Sequence, residues 1–168
     1  MKDSSSVRDS ILEVIEKNPG LHFREIQRRT GTAVGQIEYH LYQLEKMDKV
    51  VIKEDGKLKR YFSTTKGDAT ERRVIYYLRN NLTRNIITML VEEESIELDR
   101  ILKSKRGKYD RIKKYVEGLE RDRIIAIEKD NGSEYVRLRD QKLVLDTLKK
   151  FKESFMDSMA SNLLAMLE

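Results

Sequence analysis

The chain has no cysteine and no tryptophan, a single proline and only two histidines. Without thiols it can form neither disulfides nor thiolate metal sites, and thiol redox sensing is excluded. His22 and His40 are too few for a histidine-based centre, so neither a metal nor a cofactor is expected. Long apolar runs are also missing: none approaches the roughly 18 residues that a membrane span needs. The Met-Lys-Asp-Ser-Ser start lacks the hydrophobic stretch of a signal peptide. A cytoplasmic protein with no membrane partner is expected. There is no Gly-rich phosphate loop and no Ser/His/Asp order, and Glu92-Glu93-Glu94 has no histidine nearby with which to bind a metal. That acidic run reads as a solvated turn, and the chain is expected not to be an enzyme.

Charge is plentiful instead. The 168 residues include 34 Lys and Arg against 29 Asp and Glu, for a formal charge of +5. This is a soluble, heavily charged composition with room for one larger core or two small ones. The surplus suits a nucleic-acid partner but is too mild to establish one, because solubility selects similar values. The placement of the cations has to decide.

The stretch Thr30 to Leu44 organises the first half. On a helix, Ile37, Leu41 and Leu44 fall on one stripe, while Gly35, Gln36, Tyr39 and Gln43 take the other side. An amide, a phenol and two small residues, Ala33 and Gly35, suit base edges and phosphates in a major groove. Upstream, Ser4 to Ser6 supply N-cap hydroxyls for a helix running through Val7, Ile11, Leu12, Val14 and Ile15, which Asn18-Pro19-Gly20 stops. Leu21 to Phe23 is short and extended. A second helix, about Phe23 to Arg29, turns Phe23 and Ile26 inward and Arg24, Gln27, Arg28 and Arg29 outward. Gly31 makes the turn, and Thr32 is the expected N-cap of the third helix, which runs to about Asp48. Two β-prone runs, Val50 to Ile52 and Leu58 to Phe62, flank Asp55-Gly56, a hairpin signal. Helix, helix, recognition helix and hairpin make a winged helix.

These residues resemble the archaeal and bacterial winged helix-turn-helix regulators of the ArsR/MarR-like superfamily. The resemblance rests on NPGLHFREIQRRTG, on Ile37-x-Tyr39-His40-Leu41-x-x-Leu44-Glu45 and on VVIKEDGKLKRYF, and covers about residues 5 to 63. It implies DNA binding with the third helix in the major groove and the hairpin along the flanking minor groove, and an inward-facing His40. The metal-sensing members' cysteines are absent, so metal response is not implied.

The chain also resembles itself. A shift of 75 residues lays Ile11 on Ile86, Ile26 on Ile101, Ile37 on Ile112, Leu44-Glu45 on Leu119-Glu120 and Asp55 on Asp130, without a gap. The matched positions are the apolar skeleton of a winged helix, so two tandem copies are expected. The second wing would turn at Asp130-Asn131-Gly132 and return through Tyr135, Val136 and Leu138. The expected layout is a first winged helix over 1–64, a linker and bridging helix over 65–81, a second winged helix over 82–140 and a C-terminal helix over 141–168. The fold class is mainly α with small β-hairpin wings, α+β.

From Gln141 to Glu168 the spacing predicts one helix whose apolar stripe needs a partner. Leu148, Phe151, Phe155, Met159 and Leu163 are the expected homodimer interface; the competing reading is a helix folded back across its own domains. The candidate DNA-binding residues of the first copy are Arg24, Gln27, Arg28, Thr32, Ala33, Gly35, Gln36, Tyr39 and Gln43, with Lys57, Lys59 and Arg60 on the wing. In the second copy they are Lys105, Arg106, Lys108, Tyr109, Arg111, Lys113 and Lys114, part of a basic run from Lys103 against one acid, Asp110. The first set suits base reading, the second phosphate binding. The function expected is a sequence-specific regulator of transcription on double-stranded DNA, acting as a homodimer, with the transcription machinery as a further partner class. The alternative is a winged-helix docking or architectural subunit of a transcription, replication or chromosome-organisation complex, using Tyr39 and Tyr42 as an apolar patch.

Overall fold

The first helix follows its apolar spacing. A computed structural model describes the backbone of residues 4–165 and the side chains of 6–157, 159 and 160. In it α1 (Ser4–Lys17) buries Val7, Ile11 and Ile15 at intervals of four. β1 (Leu21–His22), α2 (Phe23–Thr30), α3 (Val34–Lys46), β2 (Val50–Asp55) and β3 (Leu58–Ser63) follow. The strands form an antiparallel sheet in the order β1-β3-β2, with Leu21 opposite Tyr61 and Val50 opposite Ser63. Ile11, Ile15, Leu21, Ile26, Ile37, Leu41, Leu44, Val50 and Tyr61 close one core, to which α1, both helices of the turn motif and the sheet all contribute. Truncating fully buried Ile15 to alanine is worth about 3 kcal/mol at such a site.

Local geometry sets the ends of these helices. Gly31 closes α2 with φ +63° and donates its N–H to the Gln27 carbonyl at 2.9 Å, a left-handed cap that glycine adopts without strain. The N-cap of α3 is Ala33 rather than Thr32; its carbonyl accepts from the N–H groups of Gln36 and Ile37 at 3.0 and 3.1 Å. The Thr32 N–H instead donates to the Thr30 hydroxyl at 3.4 Å, which ties the turn one residue earlier. α3 stops at Lys46 because Asp48 turns left-handed, φ +54°, and the Lys49 N–H folds back onto the Leu44 carbonyl at 2.9 Å.

Downstream lie α4 (Ala69–Arg79), α5 (Asn81–Glu92), β4 (Ile96–Glu97), α6 (Leu98–Leu102), α7 (Tyr109–Arg121), β5 (Ile125–Asp130), β6 (Ser133–Leu138) and α8 (Gln141–Lys150). The Asn80 side chain caps α5, accepting from the Leu82 N–H at 2.9 Å and the Thr83 N–H at 3.4 Å. β4, β6 and β5 form a second antiparallel sheet in that order, with Ile96 opposite Val136 and Ile125 opposite Leu138. The architecture is therefore helix-rich α+β of winged helix-turn-helix type, with two three-stranded antiparallel sheets.

The chain divides into two compact units, one of residues up to Arg72 together with those from Phe151, the other Arg73–Lys150. α4, in the stretch read as linker and bridging helix, crosses the division, and its buried residues, Val74 to Arg79 apart from Tyr76, belong to the second unit. The expected single C-terminal helix is two, α8 and α9 (Lys152–Ala165), separated at Phe151. α8 groups with the second unit and buries Val144 and Thr147; α9 groups with the first and buries Ser154 and Phe155. A stripe read at spacings of three and four cannot reveal a one-residue interruption that neither glycine nor proline marks. Among the described residues no helix is long and apolar enough to cross a membrane.

Candidate nucleic-acid interface

α3 presents Val34, Gly35, Gln36, Glu38, Tyr39 and Tyr42 to solvent, and Ile37, His40, Leu41 and Leu44 to the core. Tyr39 and Tyr42 are more than half exposed, at 57% and 54%. His40 is buried, with its ring edge-on to that of Tyr39 at 5.2 Å between centroids. Nothing stands within 4 Å of where a Cβ on Gly35 would be, so the helix backbone is open to close approach there. Of the other expected contacts, Arg24, Arg28 and Ala33 are exposed, while Gln27, Thr32 and Gln43 are half-buried. Arg29, expected to point out with its neighbours, turns toward α9, where Nη2 lies 3.4 Å from Asp157 Oδ2.

The hairpin of β2 and β3 carries two kinds of cation. Lys57 and Lys59 are exposed, with Leu58, 56% exposed, between them. No ion pair holds either lysine among the described residues. Arg60 is different: it is buried, its Nε donates to Asp55 Oδ2 at 2.7 Å, and its Nη1 donates to the Gly20 carbonyl at 2.8 Å. His22 completes the clamp, with Nδ1 donating to the Lys59 carbonyl at 3.0 Å and Nε2 at 3.6 Å from Asp55 Oδ2. Arg60 was expected among the phosphate contacts, and the structure corrects this. Residues alternate faces along a strand, so Arg60 lies on the face opposite Lys59 and Tyr61, the one it shares with His22 and Asp55, and there a carboxylate and the Gly20 carbonyl hold its guanidinium out of water.

An exposed polar helix held by a left-handed turn, beside a cationic hairpin, is the geometry of a helix-turn-helix with a wing. Residues 5–75 match the family described as HTH_HVO_0163_N, N-terminal HTH domain. The first unit contains a helix-turn-helix domain. No curated protein matches the chain. The match extends past the wing into α4, so this helix-turn-helix domain takes in more chain than the 5 to 63 read from motifs.

Within the second unit, the expected phosphate-binding residues form a surface of another character. Lys105, Arg106, Lys108, Tyr109, Arg111, Lys113 and Lys114 are all exposed, on the loop before α7 and on its first turns. Lys103 is tied to Asp99 at 2.6 Å. One flank of α7 is covered by α4: the Tyr77 hydroxyl donates to Asp122 at 2.7 Å, Asn80 Nδ2 donates to the Tyr115 hydroxyl at 2.9 Å, and a Cβ on Gly118 would come 3.1 Å from the Tyr77 oxygen. Burial, and then the bond to the Asp122 carboxylate, push the Tyr77 hydroxyl far above its ordinary pKa, so it stays a donor. The second hairpin pairs its own cations, Arg137 with Glu128 at 2.6 Å and Lys129 with Glu134 at 3.7 Å.

Three features escaped the reading from motifs. Val34 is three residues before Ile37, a spacing that suggests core, yet it is 46% exposed because α3 has only just begun there. The clamp of His22, Asp55 and Arg60 joins all three strands of the first sheet and, through the Gly20 carbonyl, the turn before β1; the opposite charges of Asp55 and Arg60 across the hairpin were its sign in the sequence. The covering of α7 by α4 was signalled by the unexplained Gly118 inside a helix.

Proposed function

We propose that the protein is a sequence-specific, double-stranded-DNA-binding regulator of transcription, of the ArsR/MarR-like winged-helix kind. In this reading α3 enters the major groove, the Lys57-Lys59 hairpin follows the minor groove, and the protein is cytoplasmic, binds rather than catalyses, and works as a homodimer. The observation that carries it is the exposed face of α3, where Gln36 and Tyr39 stand beside an open backbone at Gly35. Base edges require such donors and acceptors, and a backbone able to approach them.

We further read the second unit as a tandem winged helix that adds phosphate contacts. Its strand order repeats that of the first, and α7 and both long strands begin and end 75 residues after α3, β2 and β3. The turn after the helix repeats too. Ile124 N–H to Leu119 carbonyl matches Lys49 to Leu44, both at 2.9 Å, and Arg123 has φ +59° where Asp48 has +54°. Side chains differ between those positions, so a shared origin accounts for the coincidence better than local sequence does.

A salt titration on random duplex tests both halves. Full-length protein should bind with a steep log-log salt slope. Replacing Lys108, Arg111, Lys113 and Lys114 together should flatten it by about 0.9 for each phosphate no longer neutralised. An unchanged slope would assign the second unit to another partner. The docking or architectural reading draws on the exposure of Tyr39, Tyr42 and Met47, and absence of duplex binding at low salt would select it.

A further inference from the structure

We propose that the first recognition helix reads adenine·thymine pairs, with Gln36 as the residue that selects adenine; this rests on the DNA-binding reading above. In the major groove guanine is taken chiefly by Arg or Lys bridging its O6 and N7 acceptors, while an amide matches adenine, donating to N7 and accepting from the N6 amino group. On α3 no exposed cation occurs before Lys46 in the last turn, and its ammonium lies 5.6 Å from the centre of the Tyr42 ring. The side chains offered earlier are the Gln36 amide, the Tyr39 and Tyr42 hydroxyls, the Glu38 and Glu45 carboxylates and the apolar Val34. A carboxylate is repelled by guanine's two acceptors and meets an amino group, that of adenine N6 or cytosine N4, so Glu38 opposes guanine without choosing between those two, and the choice of adenine falls to Gln36. Val34, 46% exposed beside Gly35, supplies the apolar surface that a thymine methyl group meets.

Two further observations point the same way. The scaffold does not forbid guanine-reading side chains at these positions: 75 residues after Gln36 the exposed residue on α7 is Arg111, and 75 after Tyr39 it is Lys114. The first helix is thus distinctive in lacking them. Lys57 and Lys59 at the first wing are exposed and, among the described residues, in no ion pair, cations of the kind drawn into the narrow, strongly negative minor groove of A·T tracts. The second wing neutralises its own cations.

The test is selection of binding sites from a random duplex pool by the full-length protein and by Gln36→Arg. Gln36 is exposed, so the variant is expected to keep the wild-type melting temperature, which is measured alongside. Wild type should enrich a block of A·T pairs, and Gln36→Arg should convert one adenine of that block to guanine with a preference change on the order of tenfold, leaving the rest of the motif intact. A guanine or cytosine already standing at the position that Gln36→Arg alters, or a motif the variant leaves unchanged, overturns the proposal. Retention of duplex without enrichment overturns it while leaving DNA binding in place; failure to retain any duplex at low salt overturns the DNA-binding reading as well.

Discussion

Gln36 and Tyr39 owe their proposed role to exposure, and exposure also makes them safe to remove. Replacing either with alanine is expected to cost roughly 1 to 3 kcal/mol on the preferred operator, with little effect on random DNA or on folding. Competition binding between operator and random duplex measures this; equal losses on both would mean the wrong face was chosen. Glu16 works by the opposite logic. It accepts from the Thr65 hydroxyl and lies 3.0 Å from the Lys66 ammonium, and these two, the hydroxyl first, hold its carboxyl below the ordinary 4.5. A depressed pKa favours the charged folded form, so the stabilisation is full above about 4.5 and is lost as pH falls through the lower folded value. Melting of wild type and Glu16→Gln should therefore differ at pH 7 and converge in strong acid. A constant gap across the range would assign the effect to packing.

Among the elements, the first wing separates fold from function most cleanly. Removing Asp55 leaves the buried Arg60 guanidinium with the Gly20 carbonyl but without its carboxylate. Asp55→Ala is expected to destabilise the first unit by about 2 kcal/mol, the cost of leaving a largely buried donor unsatisfied. Lys57→Ala with Lys59→Ala should leave melting unchanged and weaken all duplexes alike, because phosphate contacts carry no sequence information. Calorimetry paired with salt-dependent binding distinguishes the two; a stable Asp55→Ala protein would show that the clamp adds nothing to the hairpin. Sequence pattern showed the hairpin through Asp55-Gly56 but not this division of labour among its cations.

For the molecule as a whole, the break at Phe151 changes where a truncation can fall. Ending the chain after Asp140 would delete buried Val144 and Thr147, so it should lower the melting temperature of the second unit. Ending it after Lys150 removes α9 alone, with buried Phe155 and the Asp157 partner of Arg29. Phe155 is 6% exposed within one chain, so it is already covered and is withdrawn from the homodimer contact. Leu148 and Phe151 are half-buried, and the side chain of Leu163 lies outside the described residues. Met159, 44% exposed, and Met156, 58% exposed on the same helix, remain to carry the proposed dimer. Light scattering should then give a dimer for the full chain and a monomer after truncation at Lys150. A two-fold dimer should leave a footprint with half-sites about one helical turn, or a multiple of it, apart. A monomeric full chain with an asymmetric footprint would remove the dimer from the reading.

Apolar spacing marked α1, α2 and α3 of the first half, because periodicity records which face of an element must leave water, but it missed the break between α8 and α9. Gly31 and Asp55-Gly56 placed the turns for an equally local reason, their tolerance of tight backbone geometry. Tertiary structure decided what depends on groups arriving from elsewhere in the chain. Arg60 is internal because Gly20 offers a carbonyl 40 residues away; Arg29 turns from its exposed neighbours because α9 brings Asp157; and one flank of α7 is closed because Tyr77 and Asn80 bond to it. A charged residue on a helix or hairpin reads the same in sequence whether it faces water or a distant partner. Only the packing that excludes water from one side, and supplies a carboxylate or carbonyl there, makes the difference.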